Sequence, residues 1–437
     1  VCDSVTHKPG EVDYNDYSFY KRTLSTTGFS ADFQGTGYSI NSRTAFQYLS
    51  DHQGIDQDFS PRSIYFARQD MKQKMFSEEL NIKSTTPGRY KWLFGAFGFW
   101  QGIDNTVTLD YFTKGYATRK LYDTPAYGVA FYHQSTIDDL LTRGLSLTFG
   151  IRYDYEHTSN DFLFYKETDG GSEQMDAFDS RLKFSQVTPK IALQYMFPST
   201  GMLYATVTKG YKTGGFNTSF DREEDRTFRP ETSWNYELGG HFSCMEGAVR
   251  GDFALFYIDC RDQQLTIFPE GTTTGRMMTN AGRTRSFGGE LSLQVSPWQN
   301  LDINAAYGYT NAKFVRYNDG KTDYKGNYLP YAPQHTLSAN GAWTIPTGVQ
   351  WLGNIVLQAG VRCAGRIWWN EENSLSQPFY ALVEASLRFE QKHYSVDIWG
   401  RNLADTGYNV FYFKSIGNEF VQRGRPRTFG ITLNINL

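Results

Sequence analysis

Aromatic residues close to a cation are the clearest candidates for binding chemistry in this sequence of 437 residues. Trp368 and Trp369 follow Arg366, and Tyr412 and Phe413 stand in a later polar stretch. Exposed rings beside a guanidinium suit flat, conjugated ligands, which bind through stacking and cation–π contacts. The alternative is that the rings pack one loop against another. We predict that all five side chains contact a ligand, with Arg366 supplying the charge.

The glycine-rich stretch 209–217 is a second candidate. It does not have the spacing of a phosphate-binding P-loop, and no helical pattern follows it. Gly214 and Gly215 instead predict a bend where a strand ends. Tyr211 and Phe216 flank that bend, and we predict them as further ligand contacts.

The sequence contains no recognisable motif of catalytic residues. The seven histidines do not form an HExxH motif, and no GxSxG is present. Four scattered cysteines, Cys2, Cys244, Cys260 and Cys363, form no CxxC and are interpreted as isolated thiols. The net charge of −3 offers no basic surface for nucleic acid. We therefore expect no enzyme, no cofactor and no nucleic-acid partner.

An acidic run at 221–225 could in principle hold a cation such as Ca²⁺. Asp221, Glu223, Glu224 and Asp225 alternate with Arg222 and are followed by further arginines at 226 and 229. Charges interspersed in this way favour a self-neutralised, solvated loop. The sequence therefore predicts no metal site here.

The elements that must position these residues follow one repeated pattern. From Leu145 to Glu156, apolar residues such as Phe149 alternate with polar residues such as Thr148. Period 2 places the two sets on opposite faces of a strand. Runs of ten or more residues exceed the usual strand and suit a tilted strand that crosses a bilayer. We count roughly seventeen such segments, and no apolar run reaches the ~18 residues of a membrane helix.

The connections between these segments alternate in length. Short ones are predicted at 36–37, 85–88, 138–144, 198–201, 244–247, 297–300, 346–349 and 390–392. Long ones are predicted near 52–67, 103–125, 157–181, 211–231, 263–280, 314–332, 366–378 and 403–426. Short periplasmic turns and long outer loops are typical of bacterial outer-membrane barrels. The sequence therefore predicts an all-β, transmembrane antiparallel β-barrel in contact with outer-membrane lipid.

The number of predicted strands is odd, and this number indicates whether the barrel is complete. Bacterial single-chain barrels have an even number of strands, so we expect further strands upstream of Val1. About five would be needed for a barrel of 22. The sequence also begins without methionine or signal peptide. We expect residues 1–437 to form one barrel domain that is incomplete at its N-terminal side.

Seven short motifs occur in order at strand-sized spacings. They are TPKIAL (188–193), TKGYKTGGFN (208–217), RPE (229–231) with YELG (236–239), FYID (256–259) with RDQQ (261–264), TNAG (279–282), GRNLAD (400–405) and GRPRTFG (424–430). With these motifs, residues 70–437 resemble the barrel domain of TonB-dependent receptors, specifically the iron-complex branch. The final Leu437 departs from the aromatic residue usual in that family.

The resemblance implies a barrel of 22 strands, an N-terminal plug inside it and a TonB-contacting segment ahead of the plug. The plug, that segment and the first strands are not part of this sequence. The implied function is active import of a ferric siderophore, driven through TonB. The family interpretation also makes Arg425 and Arg427 structural. Alternatives are a TonB-dependent importer of cobalamin, haem or an oligosaccharide, a passive porin, or a soluble β-rich secreted protein.

Overall fold

The computed structural model describes residues 15–218, 220, 222–267, 277–319, 321–415 and 418–435. Four residues named above, Val1, Cys2, Asp221 and Leu437, lie outside these ranges. Within them the chain forms 23 β-strands and three short 3₁₀ turns. No helix in the described ranges is both long and apolar enough to cross a membrane.

Seventeen of the strands form one sheet. They are β1 (Phe19–Gln34), β2 (Tyr38–Asp56), β3 (Tyr65–Ser84), β4 (Tyr90–Tyr111), β5 (Tyr116–Ile137), β6 (Leu145–Thr168), β7 (Gly171–Phe197), β8 (Gly201–Lys212), β11 (Glu231–Cys244), β12 (Val249–Ile267), β13 (Met277–Trp298), β14 (Leu301–Arg316), β15 (His335–Pro346), β16 (Asn354–Ala364), β19 (Tyr380–Glu390), β20 (Tyr394–Arg401) and β23 (Thr428–Ile435). The other six form three small pairs: β9 (Gly215–Phe216) with β10 (Thr227–Phe228), β17 (Ile367–Trp368) with β18 (Ser376–Gln377), and β21 (Asn409–Ser415) with β22 (Asn418–Arg423).

Each strand of the large sheet pairs antiparallel with the next one along the chain. The same order continues from β8 through β11 to β23. In the described ranges, β1 and β23 each have one strand neighbour. The all-β antiparallel architecture and the number of about seventeen strands are therefore confirmed.

The two faces of the sheet differ in chemistry. On one face, which we call the outer face, exposed apolar side chains follow each other across strands: Phe149 of β6 pairs with Ile191 of β7, which pairs with Val207 of β8. Phe149 and Ile191 are 44% and 51% exposed. The inner face is polar, and there the Thr136 and Thr148 hydroxyls share a hydrogen bond of 2.9 Å. This division matches a sheet with lipid outside and a polar lumen inside.

The segment Trp92–Trp100 departs from simple alternation, because it is apolar on both faces. Its inward-facing rings pack over glycines of the neighbouring strand: a Cβ on Gly128 would lie 2.5 Å from the Phe99 ring. On the same inner face, the Tyr132 hydroxyl donates to Glu79 and Asn81 at 2.7 Å each. The lumen therefore accommodates aromatic rings where small residues leave space.

The short connections occur where the sequence predicts them. They span 35–37, 85–89, 138–144, 198–200, 245–248, 299–300, 347–353 and 391–393. All eight lie at the same end of the sheet, because they are every second connection in a series of antiparallel strands. By the rule for outer-membrane barrels, this end faces the periplasm.

Two of the predicted long loops are wrong. The stretch 103–125 is a continuation of β4 and β5, which are joined only by residues 112–115. The stretch 157–181 is likewise a continuation of β6 and β7, joined by residues 169–170. These strands have 22 to 27 residues, against the ~9–11 that cross a bilayer. Continued pairing satisfies backbone hydrogen bonds that an irregular loop would leave to water.

Candidate functional site at the outer mouth

We call the end of the sheet that carries the long connections the outer mouth. The hairpin of β17 and β18 lies there and carries Arg366 and Trp368. The Arg366 guanidinium carbon lies 5.2 Å from the centre of the Trp368 ring, which is a cation–π arrangement. The Trp368 indole N–H is buried and has no hydrogen-bond partner among the described residues. The pair therefore combines a positive charge, a ring and an unused donor.

Trp369 points into the protein rather than to solvent. It is 6% exposed, and its ring centre lies 5.4 Å from that of Tyr331. The backbone of the same hairpin is fixed to Tyr331, whose N–H donates to the Trp368 carbonyl at 2.8 Å. Trp369 thus anchors the hairpin against the connection between β14 and β15.

Tyr412 and Phe413 belong to the β21–β22 hairpin and pack in the same region. Tyr412 is 4% exposed, and its carbonyl accepts a hydrogen bond of 2.7 Å from the Tyr331 hydroxyl. Phe413 stacks on Phe420 at 5.1 Å, and both rings contact Phe59 from the connection after β2. The contact with Phe59 joins a hairpin next to β23 to a connection next to β1. The outer mouth therefore brings the two ends of the sheet together.

The structure thus gathers five of the seven proposed ligand-binding residues into one aromatic cluster, made of Arg366, Trp368, Trp369, Tyr412 and Phe413. Trp369 and Tyr412 are buried, as expected if these rings pack one loop against another instead of contacting a ligand. Burial also raises the pKa of the Tyr412 phenol well above its usual value. Arg366 and Trp368 are the members best placed for a ligand, and the binding role of all five stays a prediction.

Tyr211, near the end of β8, and Phe216, on the loop between β8 and β11, form a second group. Tyr211 is half-buried, and its hydroxyl has no hydrogen-bond partner in the part of the chain that the structure describes. Phe216 lies in β9, beside β10. Gly214 permits this bend, since a Cβ there would lie 2.3 Å from the Phe228 carbonyl oxygen. The strand ends at Lys212, just before these glycines, as the sequence predicts, and the structure adds a close backbone approach at Gly214.

Asn217 fixes this loop to the sheet. It is 6% exposed, and its Nδ2 donates to the carbonyls of Asp225 and Met278 at 2.8 and 2.9 Å. Its Oδ1 accepts from the Met278 N–H at 2.8 Å. One amide side chain thus satisfies three backbone groups on two segments. The sequence places this residue in the TKGYKTGGFN motif without revealing its partners.

Replacing Asn217 with Ala should release the loop, because three buried backbone groups lose their partner. Each buried group left unpaired costs about 1–3 kcal/mol. We expect faster exchange of the Met278 amide hydrogen and faster protease cleavage within 213–230. Asn217→Asp is the matched control, since it keeps the acceptor for Met278 and removes the two donors. Unchanged exchange at Met278 in Asn217→Ala would contradict the assigned role.

Three of the sequence motifs meet beside this loop. The Gln264 N–H donates to Glu231 at 2.7 Å, and its Nε2 donates to the carbonyls of Thr213 and Arg229. Asn280 accepts from the Arg229 N–H at 2.8 Å and donates to its carbonyl at 2.9 Å. Side-chain amides therefore replace a regular strand ladder where the loop meets β12 and β13.

The connection between β14 and β15 has a small apolar core of its own. Phe314, Tyr317 and Tyr324 pack together, with ring centres 5.1 Å apart for the first two and 5.2 Å for the last two. Burial raises the pKa values of both tyrosines well above the usual range. Asp319 closes the loop by accepting from the Thr322 and Lys321 N–H groups and the Tyr324 hydroxyl, which lowers its pKa.

The acidic run on the loop after β8 is neutralised by neighbouring arginines. Arg222 pairs with Glu224 at 2.6 Å and with Asp225 at 2.9 Å, and Arg226 pairs with Glu223 at 3.2 Å. Asp221 is outside the described residues. Among those described, no group of three or more acidic, histidine or cysteine side chains could hold a metal ion. Cys244, Cys260 and Cys363 are free thiols.

Several residues that shape the outer mouth could not be identified from the sequence. Tyr331, Phe59 and Phe420 complete the aromatic cluster, yet no spacing links them. Asn402 fixes the connection from β20 to the β21–β22 hairpin. In the sequence, only its position within the GRNLAD motif indicated that this residue has a role. Arg427 donates to the Leu403 carbonyl at 3.3 Å, in agreement with a structural role.

Known proteins resemble this chain along most of its length. A family model described as TonB dependent receptor-like, beta-barrel matches residues 4–403. The pesticin receptor of Yersinia enterocolitica is 24% identical over 381 residues, which cover 84% of this chain and 52% of that protein. The metal-pseudopaline receptor CntO of Pseudomonas aeruginosa is 26% identical over 251 residues, covering 57% and 33%.

Among solved structures, the ferric yersiniabactin uptake receptor FyuA from Yersinia pestis aligns with a TM-score of 0.81 at 21% identity. That alignment covers 96% of this chain and 62% of FyuA. The chain therefore shares the fold of that barrel. It spans about half the length, or less, of the curated relatives described above.

Proposed function

Because this chain belongs to the TonB dependent receptor-like β-barrel family, we propose that it forms the barrel of an active importer of ferric siderophores. The family consists of transport receptors of the bacterial outer membrane. In the proposed function, a segment ahead of the barrel contacts TonB, which supplies energy for import. The ligand enters at the outer mouth and passes along the polar inner face.

The arrangement of Arg366 and Trp368 carries this proposal. A ferric siderophore is scarce and bulky, so binding must precede transport. Arg366 offers charge, the Trp368 ring offers a stacking surface, and the indole N–H is an unused hydrogen-bond donor. The Tyr211 hydroxyl is a second unused donor at the same end of the sheet. A partly aromatic metal chelate with oxygen acceptors suits the Arg366–Trp368 pair, and the Tyr211 hydroxyl offers a separate contact at the same end of the sheet.

The inner face supports passage of a polar cargo. The Tyr204 hydroxyl donates to Glu237 at 2.7 Å, and the Arg152 guanidinium carbon lies 5.2 Å from the Tyr132 ring centre. These groups line the lumen in addition to the Thr136–Thr148 pair. Polar groups in a lumen provide successive weak contacts, whereas an apolar lining would exclude a hydrated complex. A permeation path along this face is therefore consistent with import.

Uptake of labelled iron tests the proposal. The complete receptor would be expressed in an iron-restricted host that has no siderophore receptors of its own, and a panel of ferric siderophores would be supplied. We expect uptake with at least one siderophore, and none when tonB is deleted. Growth on cobalamin, haem or an oligosaccharide, without uptake of any ferric siderophore, would replace the iron proposal. Uptake that persists without tonB would indicate a passive pore.

A double substitution tests the site itself. Arg366→Gln with Trp368→Ala removes the cation–π pair and the unused donor, and stacking or cation–π interactions with a ligand are worth about 0.5–2 kcal/mol each. Ligand capture should weaken roughly tenfold or more. Trp351→Ala is the matched control, because Trp351 is 71% exposed at the short-connection end. Equal capture by the double variant and the control would remove these residues from the site. Trp369 is left intact because it is buried.

A metal other than iron is a second candidate, and the similarity to the metal-pseudopaline receptor CntO favours it. The chemistry at the outer mouth recognises the organic chelator rather than the metal ion. The same uptake assay with labelled zinc, nickel and cobalt in place of iron separates the two candidates.

A further inference from the structure

Two acidic residues meet at the outer mouth, where the chain enters the sheet. Asp16 lies in the segment just before β1, and Asp56 is the last residue of β2. The Asp16 N–H donates to Asp56 Oδ2 at 3.1 Å, and the Asp56 N–H donates to the Ser18 hydroxyl at 3.0 Å. These two bonds hold the segment 15–18 against the end of β2 and bring the two aspartates close together.

Each of the two carboxyl groups has a buried oxygen without a partner. Asp56 is 1% exposed. Its Oδ1 and the Oδ2 of Asp16 are both shielded from water, and neither accepts a hydrogen bond from any described residue. Burial, together with the nearby charges of Asp58 and Asp16, raises the pKa of Asp56 above its ordinary value. Two unpaired carboxylate oxygens in one buried place destabilise the fold, and a bound cation would remove that destabilisation.

Asp58, in the connection between β2 and β3, is a contrasting carboxylate with partners on both oxygens. Its Oδ1 accepts from the Ser60 N–H at 3.0 Å and from the Ser60 hydroxyl at 2.6 Å. Its Oδ2 accepts from the N–H groups of Ile64 and Tyr65 at 3.0 and 2.9 Å. These donors stabilise the charge of Asp58 and fix the connection. The unpaired oxygens therefore belong to Asp16 and Asp56, and Asp58 has a separate structural role.

The unpaired atoms at this place are oxygens, which suit a hard cation. Calcium takes about six to eight oxygen ligands in irregular arrangements and accepts water among them, whereas magnesium requires a near-ideal octahedron. Asn15, next to Asp16, carries an amide oxygen on the same segment. A site of two carboxylates and neutral oxygens differs from a cage of three or more acidic side chains, which the described residues do not form. The ligand atoms therefore favour calcium.

We propose that a calcium ion binds between Asp16 and Asp56 and stabilises the outer mouth. The Oδ2 of Asp16 and the Oδ1 of Asp56 are the carboxylate ligands, and the Asn15 amide and water supply further oxygens. The ion neutralises the two charges and ties the segment before β1 to the end of β2. We expect a dissociation constant of about 10⁻⁴–10⁻³ M, as in extracellular calcium-binding modules.

The effect of the ion should extend to the other end of the sheet. The Asn15 Nδ2 donates to the Ser63 hydroxyl at 2.8 Å, so the segment before β1 also contacts the connection between β2 and β3. That connection carries Phe59, whose ring centre lies 5.4 Å from that of Phe413 and 4.9 Å from that of Phe420. Calcium would therefore stabilise the aromatic contact between the two ends of the sheet, whatever cargo the barrel carries.

Hydrogen exchange of the complete receptor in detergent tests the proposal. Exchange is measured in EDTA, and then with ~5 mM calcium or ~5 mM magnesium, which exceeds the expected dissociation constant. The variant is D16N/D56N, which removes both charges and keeps the size of the side chains. The control is D169N/E173Q, which removes two exposed carboxylates where β6 meets β7. Heat-modifiable gel mobility verifies that each variant is folded, and D16N alone replaces the double variant if that variant does not fold.

We expect calcium to slow exchange of the Ile64 and Tyr65 amides in the native receptor by roughly sixfold to fiftyfold, because the ion binds only the closed loop. Exchange in β21 should slow as well, and magnesium should act more weakly. The control should respond as the native receptor does, and the aspartate variant should not respond. Equal exchange in EDTA and in calcium would overturn the proposal and favour a proton shared by the two aspartates. An equal calcium response in D16N/D56N would also overturn it, because calcium would then act at another place.

Discussion

Phe149→Arg is expected to destabilise the barrel by about 2–4 kcal/mol, because it places a charge in the hydrocarbon of the bilayer. Phe149 is exposed on the outer face of β6 and is flanked by Ile191 on the next strand. On the preceding strand it pairs with Ser135, so neither paired residue offers a carboxylate to the new charge. Unfolding of the complete receptor in vesicles by urea, followed by heat-modifiable gel mobility, measures the change.

Thr148→Arg is the matched control for this substitution. Thr148 is the preceding residue on the same strand, and its hydroxyl bonds to Thr136 on the inner face. A charge there meets the polar lumen, so the loss should be well below that of Phe149→Arg. Equal losses at the two positions would contradict the assignment of Phe149 to the lipid face and of Thr148 to the lumen.

The strand pattern was predictable because the alternation of apolar and polar residues directly determines which side chains lie on each face of a strand. Phe149 and Thr148 take opposite faces in the sequence pattern and in the structure. Turn positions such as 138–144 were predictable for a related reason. Within lipid every backbone N–H and C=O group must be paired. A strand therefore turns only at the membrane boundary, at residues that favour tight turns.

Strand length beyond the membrane was not predictable. From Ser159 to Thr168 the chain keeps pairing with β7, although polar residues such as the exposed Asp161 interrupt the apolar pattern of the outer face. Water outside the bilayer permits either a loop or a continued hairpin. The choice depends on the partner strand, and the pattern of a single segment does not contain that information.

The outer mouth was predictable only in part. Arg366 and Trp368 are close in sequence, so their contact follows from local spacing. Phe59 and Phe413 are far apart, and they meet because the sheet curves until its two ends approach each other. Whether a ring is exposed or buried, as for Trp369, depends on which other loop reaches it. A sequence pattern identifies the rings without identifying their neighbours.

Asn402→Ala is expected to detach the β21–β22 hairpin from the sheet. Asn402 is 6% exposed, and its Nδ2 donates to the carbonyls of Thr406 and Arg425 at 3.0 and 3.1 Å. Its Oδ1 accepts from the Thr406 N–H at 2.9 Å. It also has a φ of 48°, in the left-handed region that asparagine tolerates better than alanine. The absence of three hydrogen bonds and this strain together should cost roughly 3 kcal/mol or more in local stability.

The hairpin that Asn402 holds carries Tyr412 and Phe413, so its release should open the aromatic cluster. We expect faster hydrogen exchange across 409–423 and easier protease cleavage there, whereas the strands near Phe149 stay protected. Ligand capture should fall as well, because Tyr331 loses the Tyr412 carbonyl as its partner and the hairpin around Trp368 loses support. Asn434→Ala is the control, since that exposed side chain makes one bond of 3.2 Å to Ser395 on the inner face. If both variants exchange alike across 409–423, Asn402 does not position the hairpin, and the loop is held by its aromatic contacts alone.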